Sequence, residues 1–383
     1  MKILFVQKVK ALVGSEKYFL ELIPELENRG IETEFVCIFN SVDKEKTIPF
    51  IEAYKNLNLK IHVLEVKSDK AIWTTLSFIK KIVKENDFDL VHSHLIHADF
   101  WTSTLKRLGS IKCPIVSTKH GYDENFIAEY GFNGKKVKHN LYYKLCKYSE
   151  KKISKSFAVS NGLRKLFIES GICKSENIRT IHHGFNLPSI ENKINNEFRY
   201  SPHQLILLGR IIPFKGHLLA LKAIIEVKKQ IKDFKLLILG HGDKDLINEI
   251  KKIINENKLQ ENVVLLGYKS NIYDYLVNSD LMLVPSIAEG FGLVFLEAMN
   301  AELPIIGFNV PATNEIVEHN KTGILIEAYN TTKMANSIIK LITDNTLRKK
   351  LSNGAKEKLI SYFCLDRMVS ETIQFYKDSL NNE

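Results

Sequence analysis

The chain has 383 residues, of which 45% are hydrophobic and 26% are charged. One hydrophobic core seldom serves a chain longer than about 250–300 residues, so this length and composition predict two ordinary globular domains. No apolar run approaches the roughly 18 residues that a membrane-spanning helix needs, and this argues against an integral membrane protein. The net charge of +10 makes an anionic ligand, membrane surface or nucleic acid a partner to consider.

The amino-terminal residues and the cysteines both favour a cytoplasmic protein. The apolar run from Ile3 to Val6 is too short for a signal peptide and has no small-residue cleavage site after it, so we interpret it as a first strand. The five cysteines are scattered and lack metal-ligand spacing, which is typical of reduced structural thiols.

In the first half, short apolar runs alternate with longer amphipathic segments, a pattern typical of parallel strands and covering helices. Helical patterns include residues 16–28, 72–86 and 98–108. The predicted strands are residues 3–6, 33–38, 61–66, 90–92, 115–118, 156–159 and 178–181. They predict a Rossmann-like domain over residues 1–185.

A lysine-rich stretch runs from Lys135 to Lys155. It holds eight lysines against one acidic residue, Glu150, and its apolar residues recur at helical spacing. A basic amphipathic helix of this kind suits an anionic membrane surface or an anionic acceptor. The alternative is a solvated helix whose apolar side packs on its own domain. Nucleic acid is disfavoured as a partner because no recognition motif accompanies the charge.

The alternation restarts after a polar segment, residues 186–203, which we predict to be a linker. The second set of predicted strands is residues 205–208, 235–239, 263–266, 281–284, 304–307 and 323–326. They predict a second Rossmann-like domain over residues 204–362, with a terminal helix at 363–383 packing back on the first domain. Such sheets bind ligands at the carboxyl ends of their strands.

Two basic residues follow the first strand of this second domain. Arg210 comes directly after Gly209, and Lys215 precedes Gly216 at the expected start of a helix. A guanidinium and an ammonium at such a turn suit a diphosphate, and they can neutralise a departing phosphate without a metal. Taken alone, the same pair also fits an ordinary solvated surface.

Two glutamates follow the fourth strand of the second domain. Glu289 ends a loop, and Gly290-Phe291-Gly292-Leu293 would open a helix whose free backbone N–H groups suit a phosphate or sugar hydroxyls. Glu297 lies two turns further on, where a carboxylate can accept hydrogen bonds from a ribose diol. A helix cap and a surface residue would explain either glutamate alone. The combination with Arg210 and Lys215 favours a nucleotide-sugar site.

Together these motifs resemble the carboxyl-terminal domain of glycosyltransferase family 4, a large family of retaining enzymes. In the second half the resemblance rests on the segments 209–216 and 285–299, and in the first half on Gly14-Ser15-Glu16 and Thr118-Lys119-His120-Gly121. The likeness covers essentially the whole chain. It implies the α/β GT-B fold, in which two Rossmann-like, doubly wound domains face each other across a cleft. In that fold residues 1–185 would be the acceptor-binding domain and residues 204–362 the nucleotide-sugar-binding domain.

The resemblance also implies roles for individual residues. Arg210 and Lys215 would grip the donor diphosphate and stabilise it as it leaves, and Glu289 would hold the transferred sugar. The remaining implied contacts are Gly290, Phe291, Gly292 and Leu293 with the sugar, Glu297 with the ribose, Gly14 and Ser15 with the phosphates, Tyr268 with the base, and His120 near the reacting centre. No metal or other cofactor is implied. Front-face substitution and double displacement both remain open as mechanisms.

Three positions depart from the family pattern. Gly14 stands alone where a glycine pair is frequent, His183-Gly184 stands where Asn-Gly is common, and Pro311-Ala312 stands near a frequent Gly-Gly. The first departure bears on the phosphate contact, and the third on loop shape beside the sugar and hence on donor choice.

Two further motifs invite interpretations that the sequence does not support. His92, His94 and His97 have partial metal-ligand spacing, but no carboxylate-rich motif follows, so we assign His92 and His94 to the floor of the cleft. Gly240-His241-Gly242 begins a dinucleotide fingerprint, but Asp245 stands where the third glycine should be, which argues against NAD.

The resemblance therefore implies a metal-independent retaining glycosyltransferase with a UDP- or GDP-linked sugar as donor. Its acceptor would be a glycan or a lipid-linked sugar in the synthesis of cell-surface polysaccharide or glycolipid. The protein would be cytoplasmic, and peripheral at the inner face of the cell membrane if the lysine-rich stretch binds there. Two alternatives stay open: a nucleotide-sugar epimerase or hydrolase of the same fold, and a non-catalytic module that binds another transferase.

Overall fold

The computed structural model describes residues 1–12, 14–187 and 195–381, which form two units, each built on its own parallel sheet. The first unit comprises Met1–Phe126, Phe132–Asn186 and Leu365–Glu383, and the second comprises Ile127–Gly131 and Leu187–Cys364. Residues 188–194 of the predicted linker lie outside the described residues. No helix in the described part of the chain is both long and apolar enough to cross a membrane.

Seven parallel strands form the sheet of the first unit. They are β1 (Lys2–Lys8), β2 (Glu32–Asn40), β3 (Lys60–Val66), β4 (Leu90–His94), β5 (Ile115–Lys119), β6 (Lys155–Ala158) and β7 (Ile178–Thr180). Their order across the sheet is β3-β2-β1-β4-β5-β6-β7, so the direction of winding reverses between β1 and β4. Helices cover such a sheet on both faces, which is why every residue of β1 after the first is buried.

The helices of the first unit fill the gaps between its strands. They are α1 (Gly14–Asn28), α2 (Lys44–Asn56), α3 (Ile72–Glu85), α4 (Leu95–Arg107), α5 (Glu124–Tyr130), α6 (Leu141–Glu150) and α7 (Asn161–Glu169), with α15 (Leu365–Leu380) at the end of the chain. Residues 127–130 of α5 group with the second unit. Helix α15 completes the core of the first, because Phe375 and Tyr376 are buried in the same cluster as Phe5 and Phe19.

The lysine-rich helix is shorter than predicted. Helix α6 begins at Leu141 because the side chain of Asn140 caps it, accepting a hydrogen bond from the backbone N–H of Tyr143. Of the eight lysines only Lys144 and Lys147 lie on this helix, and the others lie on the segments before and after it. The prediction of one basic helix across the stretch is therefore wrong in its extent.

Six parallel strands form the sheet of the second unit. They are β8 (Gln204–Leu208), β9 (Lys235–Leu239), β10 (Val263–Gly267), β11 (Leu281–Val284), β12 (Ile305–Phe308) and β13 (Gly323–Ile326). Their order is β10-β9-β8-β11-β12-β13, so the winding reverses between β8 and β11. The helices are α8 (His217–Gln230), α9 (Lys244–Glu256), α10 (Ile272–Val277), α11 (Leu293–Asn300), α12 (Thr313–Ile316), α13 (Thr331–Thr343) and α14 (Asn345–Ser361).

Both sheets confirm the predicted fold class of two doubly wound, Rossmann-like halves. Each predicted strand is present, with small shifts at its ends. In sheets of this kind the crevice for a ligand lies at the carboxyl ends of the strands, where the winding reverses. The loops after β8 and β11, and those after β1 and β4, are therefore the places to look for chemistry.

Candidate active site

The loops that follow β8 and β11 are joined at the reversal point of the second sheet. The chain leaves β8 through Arg210 and a 3-10 turn, Pro213–Lys215, before α8 begins. The backbone N–H of Ile287, in the loop after β11, donates to the carbonyl oxygen of Phe214 at 2.9 Å. This bond places the turn that carries Lys215 beside the loop that carries Glu289.

Gly216 makes this close approach possible. It has a φ of 72°, a backbone conformation that side chains disfavour, and a Cβ at this position would lie 1.9 Å from the carbonyl oxygen of Pro285. Only glycine therefore lets the start of α8 press against the loop after β11.

Lys215 and Glu289 form an ion pair in this setting. The Nζ atom of Lys215 lies 2.6 and 2.7 Å from the two carboxylate oxygens of Glu289. The Glu289 side chain is only 4% exposed, whereas that of Lys215 is 18% exposed. A carboxylate buried to this degree needs a cation beside it, so each side chain fixes the position of the other. The ammonium group keeps access to solvent and can take a further oxygen ligand.

The amino terminus of α11 lies directly after this pair. Gly292 has a φ of 92° and precedes Leu293, the first residue of the helix, and within the described residues no side chain caps the helix here. Uncapped backbone N–H groups at a helix start suit an anion or sugar hydroxyls. Glu297 lies two turns along the buried helix and is 6% exposed.

Arg210 and Tyr268 lie at the same carboxyl edge of the sheet. Arg210 is exposed after β8, and Tyr268 is 67% exposed after β10. The ring of Tyr268 packs against that of His241 at 5.8 Å between centroids. The second unit thus brings all its predicted donor residues to one edge, while their contacts with a donor remain predictions.

His120 of the first unit belongs to a cluster of imidazoles. It follows β5, and its Nε2 lies 2.9 Å from Nδ1 of His94 at the end of β4. The ring of His183 stacks on that of His120 at 5.6 Å and 17°. Burial lowers the pKa of His120 to about 3, and burial together with the neighbouring cationic groups lowers the pKa of His94 and His183 well below their ordinary range. The cluster is therefore neutral at physiological pH.

Gly14 and Ser15 open α1, close to the end of β1. The hydroxyl of Ser15 donates to the carboxylate of Glu16 at 2.9 Å, and the amide of Gln7 donates to the same carboxylate. Space around Gly14 is open, since a Cβ there would meet no heavy atom within 4 Å. The predicted phosphate contact of these two residues remains a prediction.

A buried ion cluster in the first unit was missed by the sequence analysis. The Nζ atom of Lys119 lies 2.8 Å from Asp99 and 3.0 Å from Glu150. Burial lowers the pKa of Lys119, but the two carboxylates outweigh it and raise that pKa well above its ordinary value. The sequence does carry one signal for this cluster. Side chains alternate between the two faces of a strand, so Ser117 and Lys119 of β5 lie on the same face. Both of them contact Asp99.

Of the three histidines of the rejected metal motif, His92 and His94 pack against each other with 4.1 Å between their ring centroids. His92 lies between the hydroxyls of Tyr376 and Thr118, at 2.8 Å from each. His97 lies 3.5 Å from Asp69. Among the residues that the structure describes, no group of three or more His, Cys, Asp and Glu side chains is placed to hold a metal ion.

Two sequence families match the chain in succession. The family described as Glycosyltransferase Family 4 matches residues 13–188, and that described as Glycosyl transferases group 1 matches residues 189–358. Two Rossmann-like halves with these matches define a GT-B glycosyltransferase, an enzyme that transfers sugars. The chain belongs to glycosyltransferase family 4.

Relatives and solved structures agree with this assignment. The UDP-Gal:alpha-D-GlcNAc-diphosphoundecaprenol alpha-1,3-galactosyltransferase of Escherichia coli is 24% identical over 100% of this chain and 98% of its own. The poly(ribitol-phosphate) alpha-N-acetylglucosaminyltransferase of Staphylococcus aureus is 28% identical over 50% of this chain and 39% of its own. Anabaena Alr3699/HepE, solved in complex with UDP and glucose, shares the fold with a TM-score of 0.81 at 18% identity, over 99% of this chain and 100% of that one.

Proposed function

We propose that this enzyme is a retaining glycosyltransferase that moves a sugar from a UDP-sugar to a lipid-linked or polymeric glycan acceptor in the synthesis of cell-surface polysaccharide or glycolipid. The observation that carries the proposal is the Lys215–Glu289 pair beside the uncapped start of α11. The names of the relatives support both substrates, because one uses UDP-Gal and a diphosphoundecaprenol-linked sugar and another glycosylates a poly(ribitol phosphate). GDP is the alternative nucleotide.

In the proposed reaction the bond between the anomeric carbon and the diphosphate oxygen breaks on the face where the acceptor hydroxyl attacks. The new bond forms on that same face, which retains the anomeric configuration, and the acceptor proton passes to the departing phosphate. Lys215 and Arg210 stabilise the charge that develops on the diphosphate. Glu289 and the N–H groups of α11 hold the sugar hydroxyls, and Glu297 accepts hydrogen bonds from the ribose.

These two cations supply the charge that a divalent metal supplies in other nucleotide-sugar enzymes. We therefore expect the transfer rate to be unchanged after extensive dialysis against EDTA. A loss of transfer that Mg²⁺ or Mn²⁺ restores would contradict the metal-independent mechanism.

The decisive experiment compares Lys215→Ala with Lys222→Ala, an exposed lysine of helix α8, which begins two residues after Lys215. With membrane extract as acceptor and a panel of UDP- and GDP-sugars, Lys215→Ala is expected to lower transfer by about 10²–10³-fold. Lys222→Ala should match the wild type. Equal activity of Lys215→Ala and the wild type would overturn the assignment of the donor site.

Two further readouts of this assay separate the alternatives. Sugar release or epimerisation at full rate without acceptor would identify a hydrolase or epimerase instead. The anomeric configuration of the product, measured by the one-bond carbon–proton coupling of the transferred sugar, tests retention.

We also propose that the lysine-rich stretch binds an anionic membrane surface. Six of its eight lysines are exposed: Lys135, Lys136, Lys138, Lys144, Lys151 and Lys152. Leu141, at the start of α6, is 72% exposed among them. Cations around an exposed apolar side chain suit anionic lipids at an interface.

Vesicle sedimentation tests this surface. The wild type should sediment with vesicles that contain phosphatidylglycerol, and with purely phosphatidylcholine vesicles much less. The double variant Lys144→Glu/Lys151→Glu should lose the difference, whereas Lys232→Glu/Lys251→Glu, two exposed lysines of the second unit, should keep it. Equal sedimentation of both variants would contradict the proposed surface.

A further inference from the structure

The outer edge of the second sheet is closed by a loop of the same unit. Strand β13 is the last described strand of that sheet, so only β12 pairs with it. On the other side the carbonyl oxygen of Gly323 accepts from the backbone N–H of Asn320 at 2.8 Å, and the backbone N–H of Leu325 donates to Nδ1 of His319 at 3.0 Å. Because these groups are occupied, a strand of another chain has no partner at these two positions.

The bond from Leu325 also determines which nitrogen of His319 carries a hydrogen. A backbone N–H can only donate, so Nδ1 is the acceptor and the hydrogen of the neutral ring is on Nε2. The side chain of His319 is exposed, and its Nε2 forms no hydrogen bond with another described residue. His319 therefore keeps one hydrogen-bond donor for a ligand.

A cavity of about 350 Å³ lies beside this loop, lined by β13, by His319 and by one face of α13. Small-molecule sites have volumes of roughly 300–1,000 Å³, so this cavity has room for a small ligand. Ile324 and Ile326 form the apolar part of its wall, and both are buried. The rest of its lining is mainly polar.

Helix α13 contributes a row of polar side chains to the cavity. Lys333, Asn336 and Lys340 recur at helical spacing and are exposed. Neither lysine forms a salt bridge within the part of the chain that the structure describes. The hydroxyl of Ser337 donates to the carbonyl oxygen of Lys333 at 2.9 Å, so its oxygen can accept from a ligand. Seven residues of helix separate the two lysines by about 10 Å, which places them at different ends of the cavity.

The two ends of the cavity differ in charge. Since α13 follows β13 after a short connection, the helix runs back along the strand. His319 precedes β13 and Lys340 lies in the last turn of α13, so one end has two donors. Glu327 follows β13 and Lys333 lies in the first turn of α13, so the other end has a carboxylate beside an ammonium group. The first end suits a phosphate, and the second suits hydroxyl groups.

We propose that this cavity binds a sugar phosphate, with the phosphate between His319 and Lys340 and the sugar hydroxyls toward Glu327. None of the predicted donor residues lines the cavity, so this is a second site on the unit. It is independent of the proposed function, because it depends only on the loop before β13, on β13 and on α13.

Titration calorimetry of the wild-type protein with a panel of sugar phosphates tests the site. Glucose 1-phosphate, glucose 6-phosphate and N-acetylglucosamine 1-phosphate are the probes, and inorganic phosphate and glucose are the comparison ligands. We expect at least one probe to saturate below about 10 mM, and both comparison ligands to bind at least about tenfold more weakly, since each makes only part of the contacts. No saturation by any probe would overturn the proposal. Inorganic phosphate that binds as tightly as the best probe would overturn the sugar contact.

Substitutions locate the bound ligand. His319→Asn keeps an acceptor for the N–H of Leu325 but removes Nε2, and Lys340→Ala removes the ammonium group. Each should weaken binding of the best probe by about tenfold or more, the effect of one lost charge-assisted hydrogen bond. Lys350→Ala, at an exposed position of α14 outside the cavity, is the matched control and should bind like the wild type. Equal affinities of Lys340→Ala and Lys350→Ala would overturn the proposal.

The donor site is the alternative location for a phosphate, because Lys215 is proposed to bind one there. Lys215→Ala should bind the sugar phosphate as tightly as the wild type does. A loss of affinity in Lys215→Ala without a loss in Lys340→Ala would place the ligand at the donor site and overturn the proposal. A failure of the donor assignment would leave the result for Lys340→Ala unchanged, so the two failures are distinguishable.

The wild-type protein gives a further measurement that needs no variant. The backbone amide of Leu325 is bonded to His319, so a phosphate at Nε2 of that ring should shift the amide signal in nitrogen–proton correlation spectra of perdeuterated protein. The amide of Gly30, in the first unit, should not shift. An unchanged Leu325 signal at saturating sugar phosphate would contradict the proposed position of the phosphate.

Discussion

The two units reverse their winding in the same way and present different chemistry at that point. In the second unit the reversal joins an ammonium group, a carboxylate and an uncapped helix start. In the first unit the end of β4 and the residue after β5 carry neutral imidazoles among aromatic rings, while the ions of Lys119, Asp99 and Glu150 are paired in the interior. The same topology therefore carries an ion pair beside an uncapped helix start in one unit and buried imidazoles in the other, and the local sequence decides which.

The close backbone packing of the second unit gives the largest predicted effect. Gly216→Ala combines a strained positive φ with a clash against Pro285, so we expect a loss of about 3 kcal/mol or more in the free energy of unfolding. Donor binding should fall with it. Chemical denaturation followed by circular dichroism measures the loss.

Gly30→Ala is the matched control, because Gly30 has a φ of 75° but open space around it. It should cost only about 1 kcal/mol, the effect of φ alone. Equal costs at the two glycines would show that the contact with Pro285 does not hold the site together.

Lowering the pH should reduce the stability of the first unit through a buried carboxylate that lies far from the reversal point. The side chain of Glu34 is fully buried between Lys2, Lys60 and His62. Burial raises its pKa, but the hydrogen bonds from these three groups outweigh that effect and lower the pKa from 4.5 to about 2. Since the folded pKa lies below the unfolded one, this stabilisation is complete above about pH 4.5 and is lost as the pH falls toward 2.

We expect this group to contribute about 2–3 kcal/mol to the pH dependence of unfolding. Glu34→Gln should be less stable than the wild type at pH 7, and the difference should shrink between pH 4.5 and 2. A difference that stays constant over that range would contradict the assigned pKa.

The buried ions of the first unit give a smaller effect. Asp99→Asn leaves Lys119 with Glu150 as its remaining carboxylate, so we expect a loss of about 2 kcal/mol in stability. Nucleotide binding should be unchanged, since the cluster lies in the other unit. Asp87→Asn, at an exposed position, should stay within about 0.5 kcal/mol of wild type. A weaker affinity for UDP in Asp99→Asn would break the contrast between the two units.

The features that sequence predicts well here are local. Strands show as short apolar runs, and the turn from Arg210 to Gly216 shows as a pattern within seven residues of one loop. The pairing of Lys119 with Asp99 joins residues 20 apart, and it becomes visible only when β4 and β5 are placed side by side. The helix predicted for the lysine-rich stretch is too long because the prediction followed the spacing of its residues. Asn140, whose side chain caps α6, marks where the helix begins.

Ala312 gives the smallest predicted effect and concerns the loop where the family frequently has glycines. It is a buried alanine with a φ of 69°, at the start of α12. Ala312→Gly relieves this strain but loses a buried methyl group and gains flexibility in the unfolded chain, so stability should change by less than about 0.5 kcal/mol. Ala335→Gly, in the buried face of α13, loses a methyl group without relieving strain and should cost about 1–2 kcal/mol. Equal costs, measured by thermal unfolding of both variants, would show that Ala312 is not strained.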